Sequence, residues 1–240
     1  MLTSQANPRS ARGALFMPCA PIPSSPIIGL TSNAIDSAFT CGRHDGIGTY
    51  TLALEAALRA LGVTTRRIGA PAIRNARLVW PADADLSLRY PMPIGLASSA
   101  ILRMPLPLSG EIERAIDLFH ATNYHVPRLR RTPVVATLFD AIPLARPEWA
   151  SSRLRAAKNA LMRSSAGSAD LVLAISESAV EEIVEHYRVP PERVRVVPLG
   201  VDPIWFAPLR AETSKAALNT IMTGKATYAI LRLTRHIAGL

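Results

Sequence analysis

Short apolar runs alternate with amphipathic segments along most of the chain, beginning at residue 27. Apolar runs bounded by turn-forming residues are typical of buried strands, and amphipathic segments with a 3.6-residue period are typical of helices. The alternation predicts an α/β fold, a Rossmann-like doubly wound parallel sheet covered by helices. The predicted strands lie at 27–30, 63–68, 117–120, 133–139, 170–175 and 194–197.

Two of the intervening helices have clear sequence signals. The first is predicted at 49–61, and Gly62 supplies a C-terminal stop. The second follows the strand at 170–175, and Ser178 with Glu181 has the spacing of a capping box at its start. With the strand after it, this helix predicts a right-handed βαβ unit. The apolar residues on the predicted buried face of the first helix are Leu54, Leu58 and Leu61.

Other parts of the chain do not follow the alternating pattern. Residues 1–26 are predicted to be a loose leader, and 27–202 to be the Rossmann-like domain. Inside that domain, 71–107 contains six prolines and no clear period, which favours irregular or strand-and-loop structure. Residues 203–240 are expected to be a linker and the incomplete start of a second domain.

The composition limits the classes of partner. The chain is 49% hydrophobic and 19% charged, so it can bury a core. Its net charge of +9 comes almost wholly from arginine, which indicates an anionic partner (nucleic acid, membrane surface or phosphate) or only the codon usage of a GC-rich genome. An aromatic content of 5% argues against a surface on which bases stack. We therefore expect no nucleic-acid partner.

The cysteines and the apolar segments indicate the compartment. Cys19 and Cys41 alone cannot form a disulfide framework or a four-ligand zinc site, which fits a reducing environment. The apolar stretch at 14–30 is interrupted by four prolines and suits neither a membrane span nor a signal peptide. We expect a cytoplasmic protein, at most peripheral at the inner face of the membrane, with no metal and no cofactor.

Ligands of open parallel sheets bind outside the carboxyl ends of the strands. The polar residues that follow each predicted strand should therefore converge on one edge, which predicts the site. They are the loop 45–49, Asn123, Tyr124, Asp140, Ser176, Glu177, Gly200 and Asp202.

Gly46 and Gly48 precede a predicted helix, so their backbone N–H groups and the helix N-terminus can face a phosphate. The third glycine of a dinucleotide-binding fingerprint is absent, and an ordinary glycine turn explains the pair as well. Asp140 ends a buried strand, where its carboxylate can accept hydrogen bonds from a sugar hydroxyl or cap the next segment. His120 either faces the cleft or is a satisfied histidine at a strand end, and the second is favoured. The cluster expected to be a solvated basic face is Arg128, Arg130 and Arg131.

Five segments, in the same order, resemble the glycosyltransferase family 4 enzymes of the GT-B fold. The most specific is Ser-Ala-Asp at 168–170 with Ile-Ser-Glu-Ser at 175–178, followed by Val-Arg-Val-Val-Pro-Leu-Gly-Val-Asp at 194–202. The others are Gly-Ile-Gly-Thr-Tyr-Thr at 46–51, Leu-Phe-His-Ala-Thr-Asn-Tyr at 118–124 before Pro127, and Phe-Asp-Ala-Ile-Pro-Leu at 139–144. The resemblance covers roughly 27–202 and implies the amino-terminal half of a GT-B fold.

What the resemblance implies is metal-independent transfer of a sugar from a nucleotide-sugar donor to a glycan or lipid-linked acceptor. Gly46 and Gly48 would lie near the donor diphosphate and Asp140 would line the acceptor side as the catalytic residue. Ser176 would stand at a helix start in the cleft. Asn123 and Tyr124 complete the expected substrate-binding set.

Two departures from the family pattern bear on activity. The family's histidine before Asp140 is Phe139 here, and the donor-binding domain is expected to be missing after Pro208. The leading hypothesis is a glycosyltransferase, of mannosyl type and acting in polysaccharide biosynthesis, that is inactive or weak as this truncated chain. The alternative is a non-catalytic Rossmann-like domain that binds a glycan or a partner. A nicotinamide-dependent oxidoreductase is disfavoured by the incomplete glycine pattern.

Overall fold

The computed structural model describes residues 26–146 and 155–201. The strands in these ranges are β1 (Ile27–Thr31), β2 (Thr64–Gly69), β3 (Ala72–Arg74), β4 (Arg77–Val79), β5 (Leu86–Ser87), β6 (Leu118–Ala121), β7 (Val134–Leu138), β8 (Leu171–Ala174) and β9 (Val194–Val196). The helices are α1 (Ser37–Thr40), α2 (Gly46–Ala60), α3 (Met92–Leu102), α4 (Gly110–Ala115), α5 (Ile142–Ala145), α6 (Arg155–Ala166) and α7 (Glu177–Tyr187), with a 3₁₀ helix at Pro191–Arg193.

Seven of the strands form one parallel sheet in the order β5-β2-β1-β6-β7-β8-β9. The chain winds from β1 towards β5 on one side and from β6 towards β9 on the other, so the strand order reverses between β1 and β6. This topology confirms the doubly wound Rossmann-like sheet. The strands β3 and β4 form a separate antiparallel hairpin.

Crossovers between parallel strands are right-handed as a rule, which places the helices on both faces of a doubly wound sheet. The crossover from β1 to β2 carries α2 on one face, whereas α3, α6 and α7 share the other face, where α6 packs against both α3 and α7. The core lies between the sheet and these helices and includes Phe119, Leu138, Val172, Ile183 and Tyr187, each at most 2% exposed. The buried residues of α7 are Ala179, Ile183 and Tyr187.

The predicted buried face of α2 is correct only in part. The buried residues of this helix are Gly48, Thr51 and Glu55, whereas Leu61 is 79% exposed. Glu55 lies on the sheet side because Arg67 of β2 donates to its Oε2 from Nη2 at 2.7 Å, and Arg59 of the same helix donates to its Oε1 at 2.7 Å. Leu54 and Leu58 lie beside it and are half-buried, so this face combines a paired carboxylate with leucines.

The predicted capping box at Ser178 is also wrong. The helix α7 begins two residues earlier, and Ser176 is its N-cap, with Oγ accepting from the N–H of Ala179 at 3.3 Å. Ser178 then lies inside the first turn, where its Oγ contacts the Oγ of Ser176 at 2.9 Å. The sequence has several serines and glutamates near the start of this helix, so more than one residue fits the pattern of an N-cap.

The proline-rich stretch 71–107 is more ordered than the sequence predicts. It contains the hairpin β3–β4, the short strand β5 and the eleven-residue helix α3. Pro91 is the N-cap of α3 and a second proline occupies the first turn. Proline is tolerated there because first-turn N–H groups have no partner within the helix. Prolines counted as helix breakers therefore mark a helix start.

The chain divides into two compact units, Met1–Pro198 and Leu199–Leu240. The predicted leader at 1–26 and the predicted second domain at 203–240 lie almost wholly outside the described residues, as does Asp202. The domain boundaries stay predictions.

Candidate functional site

The carboxyl ends of β1 and β6 lie side by side where the strand order reverses, and such switch points are where α/β sheets bind ligands. Buried threonine hydroxyls link the neighbouring elements there. Thr51 of α2 donates to Oγ1 of Thr122 at 2.8 Å, and Thr122 donates to the carbonyl of Thr31 at 3.3 Å. The start of α2 is therefore held directly over the switch point.

Two further hydroxyls at the end of β1 have no hydrogen-bond partner among the described residues. They belong to Thr31 and Ser32, which are 3% and 0% exposed. An unpaired buried polar group costs about 1–3 kcal/mol. These hydroxyls mark the end of β1 as a place where hydrogen-bonding capacity remains unused by the described part of the protein.

The first turn of α2 is organised around Asp45. This residue is the N-cap, and its Oδ1 accepts from the N–H of Gly48 at 2.8 Å. A Cβ at Gly48 would lie 2.6 Å from the carbonyl oxygen of Ala34, so close backbone packing requires glycine there. At Gly46, which is exposed, a Cβ would meet no atom within 4 Å.

These contacts bear on the diphosphate role expected for the two glycines. The Gly48 N–H already donates to a carboxylate, and that carboxylate would repel a nearby anion. Packing against Ala34 explains Gly48 without a ligand, in line with the ordinary glycine turn considered from the sequence. The proximity of Gly46 and Gly48 to a diphosphate stays a prediction.

Tyr50 extends from α2 to β7, which is separated from β1 by the strand β6. Its hydroxyl lies 2.9 Å from Oγ1 of Thr137, and its ring meets that of Phe139 edge to face at a centroid distance of 5.1 Å. Burial raises the pKa of Tyr50, so the phenol is protonated at neutral pH. This contact brings the start of α2 next to the segment that carries Asp140.

His120 belongs to the same network. Its Nε2 lies 2.8 Å from Oγ1 of Thr137, and the residue is 7% exposed. Burial lowers the pKa of His120 to about 4, so the imidazole is neutral at physiological pH. The histidine is satisfied inside the protein, as the sequence indicated.

Asp140 is half-buried and fixed by two donors to the same oxygen. Tyr124 donates its hydroxyl to Oδ1 at 3.2 Å, and the N–H of Ile142 donates to Oδ1 at 3.0 Å. Tyr187 donates its hydroxyl to the main-chain carbonyl of Asp140 at 3.3 Å and stacks on the Tyr124 ring at 6.4 Å. Burial, with the charge of Asp140 as a smaller cause, raises the pKa of Tyr124. The aspartate thus caps the next segment and also presents a second oxygen, Oδ2.

The remaining predicted residues lie at the same edge with local roles. Asn123 follows β6, and its Oδ1 accepts from the N–H of His125 at 2.9 Å. Ser176 follows β8 and caps α7. The structure therefore joins Tyr124 to Asp140 directly and the α2 start to Phe139 through Tyr50, whereas Asn123 and Ser176 make only local bonds.

Sequence reasoning did not assign roles to Tyr50 and Thr137. Both stand in segments that it had identified, but nothing in the local sequence shows that Tyr50 reaches across to β7. Its position four residues after Gly46, the start of α2, could have raised the question, because such a side chain lies next to the edge.

The described ranges 26–146 and 155–201 contain no group of three or more histidine, cysteine, aspartate or glutamate residues placed to hold a metal ion. In the same ranges no helix is both long and apolar enough to cross a bilayer.

The sequence that forms this edge was compared with known protein families. The sequence model of Glycosyltransferase Family 4 matches residues 44–204, about two thirds of the chain. That range begins just before α2 and includes β6, β7, β8 and β9. No curated protein matches the chain.

Solved structures of glycosyltransferases resemble the chain at low identity. A glycosyltransferase from Rickettsia africae is 14% identical, with a TM-score of 0.42, over 84% of this chain and 51% of that one. Anabaena HepE, solved with UDP and glucose, is 14% identical, with a TM-score of 0.46, over 81% of this chain and 50% of that one. The chain spans about half the length of these structures.

Proposed function

The chain belongs to Glycosyltransferase Family 4, and on that premise we propose that it forms part of an enzyme that transfers a sugar from a nucleotide-sugar to a glycan or lipid-linked acceptor. The observation that carries the proposal is the family match over 44–204, because this range holds most of the carboxyl edge described above. A mannosyl-type donor and a place in polysaccharide biosynthesis are the finer parts of the proposal.

Asp140 is the residue best suited to hold the acceptor. Both donors to this side chain meet Oδ1, and no described residue donates to Oδ2. A carboxylate oxygen fixed in this way can accept a hydrogen bond from a sugar hydroxyl as that hydroxyl attacks. The Tyr124 hydroxyl donates its hydrogen bond to Asp140, so its oxygen can accept a hydrogen bond from a second sugar hydroxyl.

Gly46, Gly48, Asn123 and Ser176 complete the proposed substrate contacts. For the two glycines the proposal requires a diphosphate to approach the α2 N-terminus despite the Asp45 carboxylate. Helix N-termini favour anions through their N–H groups and dipole. For Asn123 the side-chain amide nitrogen is the group that faces no described acceptor.

The proposed location is the cytoplasm, with contact at the inner face of the membrane. Exposed Cys41 is a free thiol, which suits a reducing compartment. Exposed apolar side chains in and after α3 support a membrane contact, among them Leu102 at 61% and Leu108 at 72% exposed.

Asp140→Asn tests the catalytic assignment. The amide keeps an oxygen for the donors Tyr124 and Ile142, so the fold should survive, while the negative charge beside the acceptor is lost. Hydrogen bonds to charged groups contribute about 1.5–3 kcal/mol, which predicts a fall in kcat/KM of about 10- to 100-fold. The assay measures sugar transfer from a panel of nucleotide-sugars to glycan and lipid-linked acceptors. It uses the protein at its full encoded length.

Asp170→Asn is the matched control. Asp170 also accepts from a main-chain amide, that of Val134 at 2.8 Å, but it precedes β8 and so lies at the opposite edge of the sheet. Its substitution should leave transfer unchanged. Equal losses in the two variants would remove Asp140 from the site.

A non-catalytic glycan-binding or partner-binding domain is the second candidate, and Phe139 favours it. The family's histidine is replaced by an apolar ring that packs against Tyr50, so a polar group beside the transferred sugar is lost. Phe139→His separates the two candidates. A large gain in transfer would identify Phe139 as an inactivating substitution in an enzyme scaffold. Saturable glycan binding without transfer in either form would support the binding domain.

A further inference from the structure

A cavity of about 490 Å³ lies on the face of the sheet that carries α3, α6 and α7. Since α6 and α7 end shortly before β8 and β9 begin, their C-terminal ends lie towards the amino-terminal edge of the sheet, away from Asp140. The cavity is lined there by side chains that share one property, a positive charge: Arg103, Arg128, Arg163 and Arg188.

The charges around this cavity do not balance. None of the described residues that line it is acidic. The C-terminal ends of three helices approach it, and each such end is equivalent to about half a negative charge. These ends offset at most about 1.5 of the four guanidinium charges. The cavity therefore keeps a net positive charge.

Most guanidinium N–H groups in the cavity remain available. Arg163 uses Nε to donate to the carbonyl of His186 at 2.9 Å, and Arg128 uses Nη1 to donate to the carbonyl of Arg103 at 3.4 Å. Each guanidinium has five donors. The side chains of Arg103 and Arg188 are exposed and make no hydrogen bond or ion pair within the described ranges.

We propose that this cavity binds the phosphate group of an anionic ligand. The planar guanidinium fork matches two phosphate oxygens at once, and the hydroxyls of Ser164 and Ser168, which also line the cavity, can donate to a third. The volume lies in the range of small-molecule sites and exceeds that of a bare phosphate, so the ligand carries a further group. This site is separate from the proposed sugar-transfer site.

Phosphate of this kind has two sources, a phospholipid headgroup or a soluble phosphate ester. Apolar side chains beside Arg103 favour the headgroup, because they would enter the bilayer when the phosphate is bound. They include Ile101, Leu102, Met104 and Leu108, which are 80%, 61%, 53% and 72% exposed.

The test compares two double variants in the full-length protein. Arg103→Gln/Arg188→Gln removes two cavity charges whose side chains support no other described group. Arg77→Gln/Arg89→Gln removes the same charge from exposed positions outside the cavity. Flotation measures binding to vesicles of 30% phosphatidylglycerol in phosphatidylcholine, and calorimetry measures binding of inorganic pyrophosphate, a soluble probe. Thermal unfolding checks that the variants fold.

We expect at least tenfold weaker binding of one or both probes by the cavity variant and less than a twofold change in the control. Leu102→Ser/Leu108→Ser then identifies the source: weaker vesicle binding with unchanged pyrophosphate binding indicates a headgroup, and no change in either indicates a soluble ligand. If the glutamine pair does not fold, Arg103→Lys/Arg188→Lys, which keeps the charge and loses the fork, replaces it.

Equal losses in the cavity and control variants, or no binding of either probe by the parent protein, would overturn the proposal. These readouts do not involve sugar transfer. An inactive enzyme with a working phosphate site, or the reverse, is therefore distinguishable.

Discussion

At the scale of single residues, His120 shows how burial sets protonation. The imidazole lies under the carboxyl edge, 7% exposed, and is bonded to the hydroxyl of Thr137. Its pKa of about 4 in the folded protein is below the value of 6.5 for the free side chain. A neutral histidine keeps the interior of the site uncharged at physiological pH.

The lowered pKa predicts that stability depends on pH. Between pH 6.5 and about 4 the unfolded chain binds a proton at His120 that the folded protein does not, so stability falls as the pH falls through this window. The predicted loss is up to about 3 kcal/mol. Urea unfolding of the parent and of His120→Gln from pH 4 to pH 7 measures it.

The glutamine variant isolates this contribution, since carboxylates titrate equally in both proteins. Burial, followed by the charge of Lys158, also lowers the pKa of His125, which adds a dependence of the same sign that the variant retains. A difference between the two proteins that does not change with pH would contradict a neutral His120.

At the scale of elements, α2 holds both the correct and the incorrect parts of the sequence prediction. Its existence and its stop near Gly62 follow from local signals. The burial of Glu55 does not, because it depends on Arg67, a residue of the next strand. Local periodicity cannot show which face finds a partner when that partner is a distant charge.

The candidate site also shows what the sequence could and could not predict. Asp140, Asn123 and Ser176 were predicted to share an edge because polar residues after strands do so in any parallel sheet. The links from Tyr124 to Asp140 and from Tyr50 to Thr137 were not found, because they join residues 16 and 87 positions apart through side-chain direction. The order of strands in the sequence predicts which residues share an edge. The contacts between their side chains depend on three-dimensional packing and cannot be predicted in this way.

Asp45→Ala tests what the first turn of α2 does. Loss of an N-cap carboxylate costs about 1 kcal/mol, so the variant should be less stable by this amount in chemical unfolding. If a diphosphate binds near Gly46 and Gly48, the variant should bind nucleotide-sugar more tightly, because the N–H of Gly48 is released and a repelling charge is removed.

Calorimetry with nucleotide-sugars measures the second effect. Asp85→Ala is a matched control, since Asp85 accepts from the N–H of Arg67 at 2.6 Å, away from this helix start. Lower stability with unchanged or weaker donor binding would separate the α2 N-terminus from the diphosphate.

At the scale of the whole molecule, the two proposed sites lie at opposite ends of the sheet. The carboxyl edge carries buried hydroxyls with Asp45 and Asp140, whereas the four arginines of the cavity lie towards the other edge. From composition alone the net charge of +9 had two explanations, an anionic partner or codon usage. The four arginines are the observation behind the anionic ligand that we propose.

The strand order also determines how long one strand edge stays unpaired during synthesis of the chain. The first of the described strands, β1, lies in the interior of the sheet, and its second neighbour, β6, begins only at Leu118. At about 5–20 residues per second, a ribosome needs on the order of 10 s to make the intervening segment. During that interval the β1–β2 pair has an open edge that a second nascent chain could occupy. Completion of β6 closes it, so the speed of translation between these two strands sets how long the protein is exposed to mispairing.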